Sequence, residues 1–317
     1  MKILIPGGAG YIGSWIVPHL LAEGHHVTVL DTMYFGDGAL PDNGHLSVLR
    51  SDVRDQDKFA EACEGQDVII YLAGITNNTM CERVPELAQS INIDAIGPCL
   101  LKSRLAGIKR FIYASSVAVY GSSEEDAKED APLEPTTLYA KGKKAAEEIL
   151  LSHQSKDFSV TIVRCASVCG YSTHQRLDTT INMMAHHAHR SRLIKVAGGA
   201  QKRSHISIKD ITRLYKRLLD MPSDKTAGIF NAVSENQRVK ETAMLVARVM
   251  GHTAIEVGPR TDDRTYSVDG TKAMRLLDFD PAHAIESAIR DLKVRFESGY
   301  WPDSLANPRY LNLMEIA

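Results

Sequence analysis

Short apolar runs alternate with amphipathic stretches through the first half of the chain. The runs are rich in Val and Ile and end at turn residues; they are KILIP (2–6), HVTVLD (26–31), LSVLRSDV (46–53), VIIYLAG (68–74), RFIYASS (110–116) and VTIVRCAS (160–167). Such runs are typical of strands buried in a parallel sheet. Because helical patterns lie between them, the sequence predicts an α/β fold with a doubly wound parallel sheet and right-handed crossovers.

The regular alternation of strand and helix patterns becomes weaker after about residue 170. A helix near 179–190, a strand at RSHISI, a helix at 209–221 and a strand at IFNAVS are followed by further helices. We therefore expect two domains, residues 1–168 and a smaller mixed α/β domain at 169–317, with segments near 205–232 returning to the first.

Composition narrows the classes of partner. The 317 residues are 44% hydrophobic and 24% charged, with a net charge of −2. This balance gives no electrostatic reason to expect nucleic acid or an anionic membrane as partner, so a small molecule is favoured. No apolar run approaches the length of a membrane span, and MKILIPGGAG reaches its glycines too early for a signal peptide, so a cytoplasmic location is expected.

Cysteine and histidine give no metal or disulfide pattern. The five cysteines are odd in number and form no CxxC pair, which predicts free thiols. His186 and His189 could share a helical face, but no Cys or carboxylate cluster lies near them in the sequence, so we expect an exposed or partly packed helix and no metal site.

A glycine-rich turn follows the first strand. Gly7, Gly10 and Gly13 form GxxGxxG and open a helix, an arrangement suited to a tight turn, a close backbone approach to a pyrophosphate and helix packing on the sheet. Asp31 ends the second strand, where a carboxylate can bind both ribose hydroxyls of an adenosine. A carboxylate there repels a 2′-phosphate and no arginine follows in DTMYFGDG, so NAD is favoured over NADP.

The stretch LYAKGKKAAEEIL (138–150) predicts a helix with one chemically distinctive edge. At about 100° per residue, Lys143 shares the inward edge with Tyr139, whereas Lys141 and Lys144 face away. Gly142 lies in the apolar stripe, where it is expected to let another helix or backbone approach closely. An ammonium about 4 Å away could lower the pKa of the phenol by up to about three units, making it a general base beside a nicotinamide. The alternative is that Tyr139 only packs and Lys143 pairs with Glu147.

The strand RFIYASS favours the catalytic interpretation, because it ends in Ser115 and Ser116 at the sheet edge where ligands bind. The glycine turn, Ser116 and the Tyr139/Lys143 pair, in that order, resemble the extended short-chain dehydrogenase/reductases, specifically the NAD-dependent nucleotide-sugar epimerase/dehydratase family that includes UDP-galactose 4-epimerase. The resemblance covers essentially the whole chain, and it implies a Rossmann domain that binds NAD and a second domain that binds a nucleotide-diphosphate sugar.

The resemblance also implies roles for single residues. Tyr139 is the acid/base, Lys143 its partner and Ser116 the hydroxyl that orients substrate. The implied cofactor contacts are Gly7, Gly10, Tyr11, Ile12, Gly13, Asp31, Asp52, Val53, Leu72, Ala73, Gly74, Asn92, Ala114, Tyr139 and Lys143. The implied substrate contacts are Ser116, Ser167, Arg176, Asn182 and the diphosphate-binding Arg203 and Arg264.

Departures from the family pattern restrict the reaction. Val117 and Ala118 stand where 4,6-dehydratases have Asp and Glu, so dehydration is disfavoured, and Val117 also replaces the cysteine of epimerase-reductases. Thr76 replaces a lysine near the nicotinamide, and Ser167 replaces an Asn that contacts substrate in 4-epimerases.

The sequence therefore predicts an NAD-dependent epimerase that transiently oxidises C4 of a nucleotide-linked hexose or heptose. Two alternatives remain open at this point. One is a C4 dehydrogenase or 4-ketosugar reductase, and the other is a dinucleotide-binding redox sensor without catalysis. The family's habit of pairing two helices per subunit implies a homodimer.

Overall fold

Seven parallel strands form the central sheet in a computed structural model of the chain, which describes residues 1–36, 40–123, 125–260, 264–301 and 307–312. The strands within these ranges are β1 (Lys2–Pro6), β2 (His26–Asp31), β3 (Leu46–Arg50), β4 (Val68–Tyr71), β5 (Arg110–Ser116), β6 (Asp126–Ala127), β7 (Ser159–Cys165), β8 (Ser167–Cys169), β9 (Leu193–Ala197), β10 (Lys202–Ser207), β11 (Gly228–Ala232), β12 (Glu235–Arg238), β13 (Ala254–Gly258) and β14 (Ser267–Val268).

Helices cover both faces of this sheet and build the C-terminal part. They are α1 (Gly13–Ala22), α2 (Gln56–Cys63), α3 (Asn78–Arg83), α4 (Pro85–Gln89), α5 (Ile96–Leu105), α6 (Leu138–Ser152), α7 (Thr180–Ser191), α8 (Ile208–Asp220), α9 (Ser223–Thr226), α10 (Val239–Met250), α11 (Thr271–Leu277) and α12 (Ile285–Glu297). A π-helix spans Ser90–Asp94, and 3₁₀ turns span Val117–Tyr120 and Pro308–Leu311.

The sheet has the order β11-β7-β5-β4-β1-β2-β3, which confirms the predicted doubly wound fold. Side chains alternate across it, so that Ile3 and Ile5 pack with α1 and α8 while Leu4 packs with α2 and α5. The strand order reverses between β1 and β4. In sheets of this kind the crevice at that reversal, beyond the carboxyl ends of the strands, is where ligands bind.

The prediction that every strand in the first half is buried is wrong for β3. This strand forms the edge of the sheet, and Val48 at its centre is 48% exposed. Its run of Val and Leu has the composition of a central strand, and its edge position depends on strand order, which local composition does not specify.

The C-terminal part has its own core, formed mainly by α7, α10, α12 and β9. β8, β10 and β12 form a three-stranded sheet, whereas β11 joins the main sheet beside β7. His186 and His189 on α7 stack on Phe296, with ring centroids 5.7 and 5.1 Å away. The division into domains at residue 168 stays a prediction. No helix in the described ranges is both long and apolar enough to cross a membrane.

Candidate active site

A cavity of about 980 Å³ lies beyond the carboxyl ends of β1, β2, β4 and β5. Its volume is at the upper end of the range of about 300–1,000 Å³ that is common for ligand pockets. Nearly all of the predicted site residues line it: Gly7, Gly10, Tyr11, Ile12, Gly13, Asp31, Asp52, Val53, Leu72, Ala73, Gly74, Ala114, Ser116, Tyr139, Lys143, Ser167, Arg176, Arg203 and Arg264.

The glycine turn is built by close backbone contacts. Gly7 has φ +79°, and a Cβ there would lie 2.5 Å from the amide nitrogen of Ala73. A Cβ on Gly13 would lie 2.4 Å from the carbonyl oxygen of Gly8. A Cβ on Gly10 would meet only the Gly7 carbonyl oxygen, at 3.3 Å. Gly7 and Gly13 are therefore needed for folding, while Gly10 leaves open space at the start of α1, as a pyrophosphate at a helix N-terminus requires.

Two acidic residues lie at the ends of β2 and β3. Asp31 accepts hydrogen bonds from the N–H groups of Ala9 (3.1 Å) and Met33 (2.9 Å). Burial raises the pKa of the Asp31 carboxyl, and the two N–H donors oppose that rise. Asp52 is bound by the Arg54 guanidinium at 2.8 and 2.9 Å, which holds the pKa of Asp52 below its ordinary value despite partial burial. Asp31 is thus oriented by backbone alone, as ribose binding needs.

Asn92 supports the cavity from behind. Its side chain accepts from the Ile75 N–H (2.8 Å) and donates to the Ile75 carbonyl (2.9 Å), so both of its polar atoms are used by one residue of the cavity wall. Asn92 does not line the cavity but fixes the backbone after β4, so its contact with the cofactor stays a prediction.

Helix α6 places Tyr139 and Lys143 at the cavity as predicted, although the two interact differently from expectation. Thr137 caps the helix by accepting from the Ala140 N–H (3.2 Å). Lys143 is buried, and its Nζ donates to the carbonyl of Ala114 at 2.7 Å while lying 5.9 Å from the centre of the Tyr139 ring. Burial lowers the pKa of Lys143 to about 8.

The expectation that Lys143 lowers the pKa of Tyr139 is wrong for the protein without a bound cofactor. Burial raises the pKa of the Tyr139 phenol to about 12, against the opposing effects of a hydrogen bond to Ser116 and the positive charge of Arg176. The helical wheel places Lys143 on the correct edge of the helix, but its ammonium donates a hydrogen bond to the backbone carbonyl of Ala114. The phenol is therefore protonated at neutral pH unless a further positive charge lies beside it.

The suggested pairing of Lys143 with Glu147 is not found. Glu147 is buried and pairs with Arg164, whose Nη2 lies 2.7 Å from Oε2, and it also accepts from the Ser115 hydroxyl. This buried pair joins α6 to the strands β5 and β7. Ser115 is thereby used in the support of α6, whereas Ser116 lines the cavity together with Tyr139.

Arg176 connects its own loop to the loop after β4 near Tyr139. Its guanidinium binds Asp178 through two bonds of 2.7 and 2.9 Å and donates to the Thr76 hydroxyl at 2.8 Å. Asn312 also donates to that hydroxyl, at 3.3 Å, and lines the cavity. Arg176 thus brings a guanidinium to the position where the resemblance implies a lysine in other members of the family and where this chain has Thr76.

The predicted substrate contacts separate into two groups. Arg203 is buried, lies 4.9 Å from the Tyr266 ring centre and lines the cavity with Arg264 and Ser167. Asn182, by contrast, does not line the cavity. It accepts from the Gly170 N–H (2.9 Å) and donates to the Tyr11 hydroxyl (3.1 Å). Asn182 holds the loop after β8 against the glycine turn, and its contact with substrate stays a prediction.

The structure also adds cavity residues that the sequence did not single out. His174, Asn78 and Thr179 each have a buried side-chain atom that hydrogen-bonds no described residue. Asn78 follows β4, so its position beyond a strand end was a usable signal. His174 and Thr179 lie in the irregular loop after β8, where no periodicity indicates direction.

Comparisons with known proteins agree with this geometry. The model of the family described as "NAD dependent epimerase/dehydratase family" matches residues 3–232. The dTDP-glucose 4,6-dehydratase of Streptomyces niveus is 28% identical over 235 residues, 69% of each chain. UDP-arabinose 4-epimerase 1 of Arabidopsis thaliana is 27% identical over 274 residues, 75% of this chain and 65% of that protein. The crystal structure of Thermus thermophilus UDP-glucose 4-epimerase in complex with NAD is 25% identical and superposes with a TM-score of 0.83, covering 94% of this chain and 99% of that one.

Proposed function

This chain belongs to the NAD-dependent epimerase/dehydratase family of short-chain dehydrogenase-type enzymes, and on that premise we propose that it is a nucleotide-sugar epimerase that inverts C4 of an NDP-hexose or NDP-heptose through transient oxidation. The non-catalytic sensor is set aside, because the relatives are enzymes. The family includes both epimerases and dehydratases, so the choice between them depends on the site.

One observation carries the choice of epimerase. Tyr139 and Ser116 both line the cavity wall, and the next two residues there are Val117 and Ala118, which have no ionisable group. A 4,6-dehydratase needs an acid and a base to remove water across C5 and C6 after C4 has been oxidised. Asp178 lines the cavity too, but Arg176 occupies both of its oxygens. The described residues around Tyr139 therefore support proton exchange at one sugar hydroxyl, because Val117 and Ala118 are not ionisable and Asp178 is bound by Arg176.

Each residue of the site has its own role in the proposed epimerisation. Bound NAD supplies the hydride acceptor that oxidation at C4 needs and a positive ring that lowers the pKa of a neighbouring phenol. Tyr139 takes the proton of the C4 hydroxyl and later returns it, while Ser116 holds the same oxygen. Lys143 stays fixed on the Ala114 carbonyl and places a cation beneath the phenol. Arg203 and Arg264 provide guanidinium groups for the sugar diphosphate.

The test is a panel of UDP-, GDP- and CDP-sugars incubated with the purified holoenzyme, with products separated by chromatography and identified by NMR. We expect a C4 epimer from at least one sugar and no net change in NADH absorbance. Tyr139→Phe should lower turnover about 10²- to 10⁴-fold while NAD content stays the same. A stoichiometric rise in NADH would instead identify a C4 dehydrogenase, and loss of NADH with a ketosugar would identify a reductase.

A further inference from the structure

His174 is a buried histidine whose ring has no assigned task. Its side chain is 2% exposed and lines the cavity, and neither ring nitrogen has a hydrogen-bond partner among the described residues. A buried polar group without a partner costs free energy, and such a group in a native protein calls for an explanation. Both nitrogens are therefore buried at the cavity wall with their hydrogen-bonding capacity unused by the described residues.

The surroundings of His174 place it at one end of that cavity. The backbone N–H of His174 donates to the Ser14 hydroxyl (3.1 Å) at the start of α1, and Ser172 of the same loop donates to the Tyr11 carbonyl (2.8 Å). The imidazole centre lies 5.6 Å from the ring of Phe35, just after Asp31. His174 thus lies between the glycine turn and the loop after β2, the two elements suited to a pyrophosphate and an adenosine ribose.

The chemical state of the ring fits such neighbours. Burial, with the nearby charges of Arg309 and Arg176, lowers the pKa of His174 to about 4, so the imidazole is neutral at pH 7. A neutral imidazole has one N–H donor and one acceptor nitrogen. Phosphate oxygens can accept a hydrogen bond from the N–H donor, and ribose hydroxyls can form a hydrogen bond with either ring nitrogen.

His205 shows that missing partners are not sufficient evidence by themselves. It is fully buried and also has two unpartnered ring nitrogens, but it does not line the cavity. His174 differs because its unpartnered ring is part of the cavity wall, next to two elements of the dinucleotide fold. His205 is therefore a matched control.

We propose that His174 is a cofactor-binding residue whose neutral imidazole hydrogen-bonds the ADP half of NAD. The inference uses the family's cofactor and is independent of the reaction proposed above. It also explains why the loop after β8 is bonded so closely to α1: Ser14 and Tyr11 hold the loop in place, and the loop carries the ring to the cavity.

The experiment measures ADP-ribose affinity by isothermal titration calorimetry for the full-length protein freed of NAD. ADP-ribose is the probe because it lacks the nicotinamide and needs no turnover. His174→Phe removes both nitrogens and keeps an aromatic ring against Phe35, and we expect it to weaken binding about tenfold. His174→Gln, which restores a donor and an acceptor, should recover part of the loss, and His205→Phe should leave the affinity within about twofold.

Thermal unfolding without ligand separates binding from folding. Because the ring nitrogens hydrogen-bond none of the residues that the structure describes, His174→Phe should melt no lower than the wild type. Unchanged ADP-ribose affinity in a folded His174→Phe protein overturns the proposal, as does a wild type that fails to bind ADP-ribose. If the His174→Phe variant does not fold, ¹⁵N NMR of the wild-type His174 ring is the test. A change in its chemical shift on adding ADP-ribose supports the contact, and an unchanged chemical shift refutes it. Failure of every sugar in the panel would refute the epimerase and leave these results standing.

Discussion

Tyr139 receives its surroundings from three separate parts of the chain: Ser116 at the end of β5, Lys143 on its own helix and Arg176 in the loop after β8. The sequence was sufficient to identify the first two, because strand ends and helical spacing place side chains by local geometry. It could not identify the effect of Arg176 on the phenol, because the path of an irregular loop is decided by tertiary contacts. The same holds for Asn92 and Asn182, which are close to the site but bond backbone or other side chains.

Arg176 provides a prediction about acid–base behaviour. Its positive charge opposes the burial that raises the pKa of Tyr139, so Arg176→Gln should raise that pKa further. The acidic limb of the pH profile of kcat/KM should move to higher pH, and kcat/KM at pH 7 should fall about three- to tenfold. Arg176→Lys keeps the charge and should keep the limb near its wild-type position. A limb that stays in place in Arg176→Gln would show that Arg176 does not act on the phenol.

At the scale of the element, α6 is the part of the site that its own sequence describes best. The helical period separates exposed Lys141 and half-exposed Lys144 from buried Lys143, and the Thr137 cap fixes where the helix begins. The expectation for Gly142 is wrong in one respect. The residue does pack on the π-helix, but a Cβ there would meet Asn92 and Ile93 at 3.7 and 3.8 Å, which are ordinary contacts.

Gly142→Ala should therefore be tolerated. We expect the free energy of unfolding, measured with urea, to rise by about 0.5–1 kcal/mol, because alanine favours the helix and restricts the unfolded chain. Gly121→Ala is the matched contrast: Gly121 has φ +78°, and a Cβ would lie 2.0 Å from the carbonyl oxygen of Glu134. That variant should lose more than about 2 kcal/mol. A Gly142→Ala protein that is clearly less stable would restore the close-approach explanation.

On the scale of the whole molecule, the sequence was enough to predict the fold class because the βα alternation is strong and repeated. Strand order at the sheet edge and the contact of the C-terminal segment with Thr76 depend on distant parts of the chain. The homodimer stays a prediction of the family resemblance; Leu101 and Leu105 on α5 are exposed, at 55% and 75%.

The lowered pKa values of buried histidines make the stability of the whole chain depend on pH. Burial, followed by the charge of Arg203, lowers the pKa of fully buried His205 from its ordinary value to about 4, so between pH 6.5 and 4 the unfolded chain binds more protons than the folded one. Stability should therefore be lost as pH falls through this window, by about 1.4 kcal/mol per pH unit for such a group. His205→Leu should reduce the slope of the unfolding free energy, measured with urea from pH 7 to 5. An unchanged slope would contradict this origin.

The central claim is that Tyr139 exchanges a proton at C4 while hydride leaves and returns to the same carbon, with no further acid/base step. Its most direct test uses UDP-, GDP- and CDP-hexoses deuterated at C4, incubated with the holoenzyme in ordinary water and analysed by NMR and mass spectrometry. The account predicts a C4 epimer that retains deuterium at C4 and shows no solvent hydrogen at C3 or C5. A dehydrated product, an epimer that has exchanged its C4 deuterium with solvent, or no epimer from any of these sugars would contradict it.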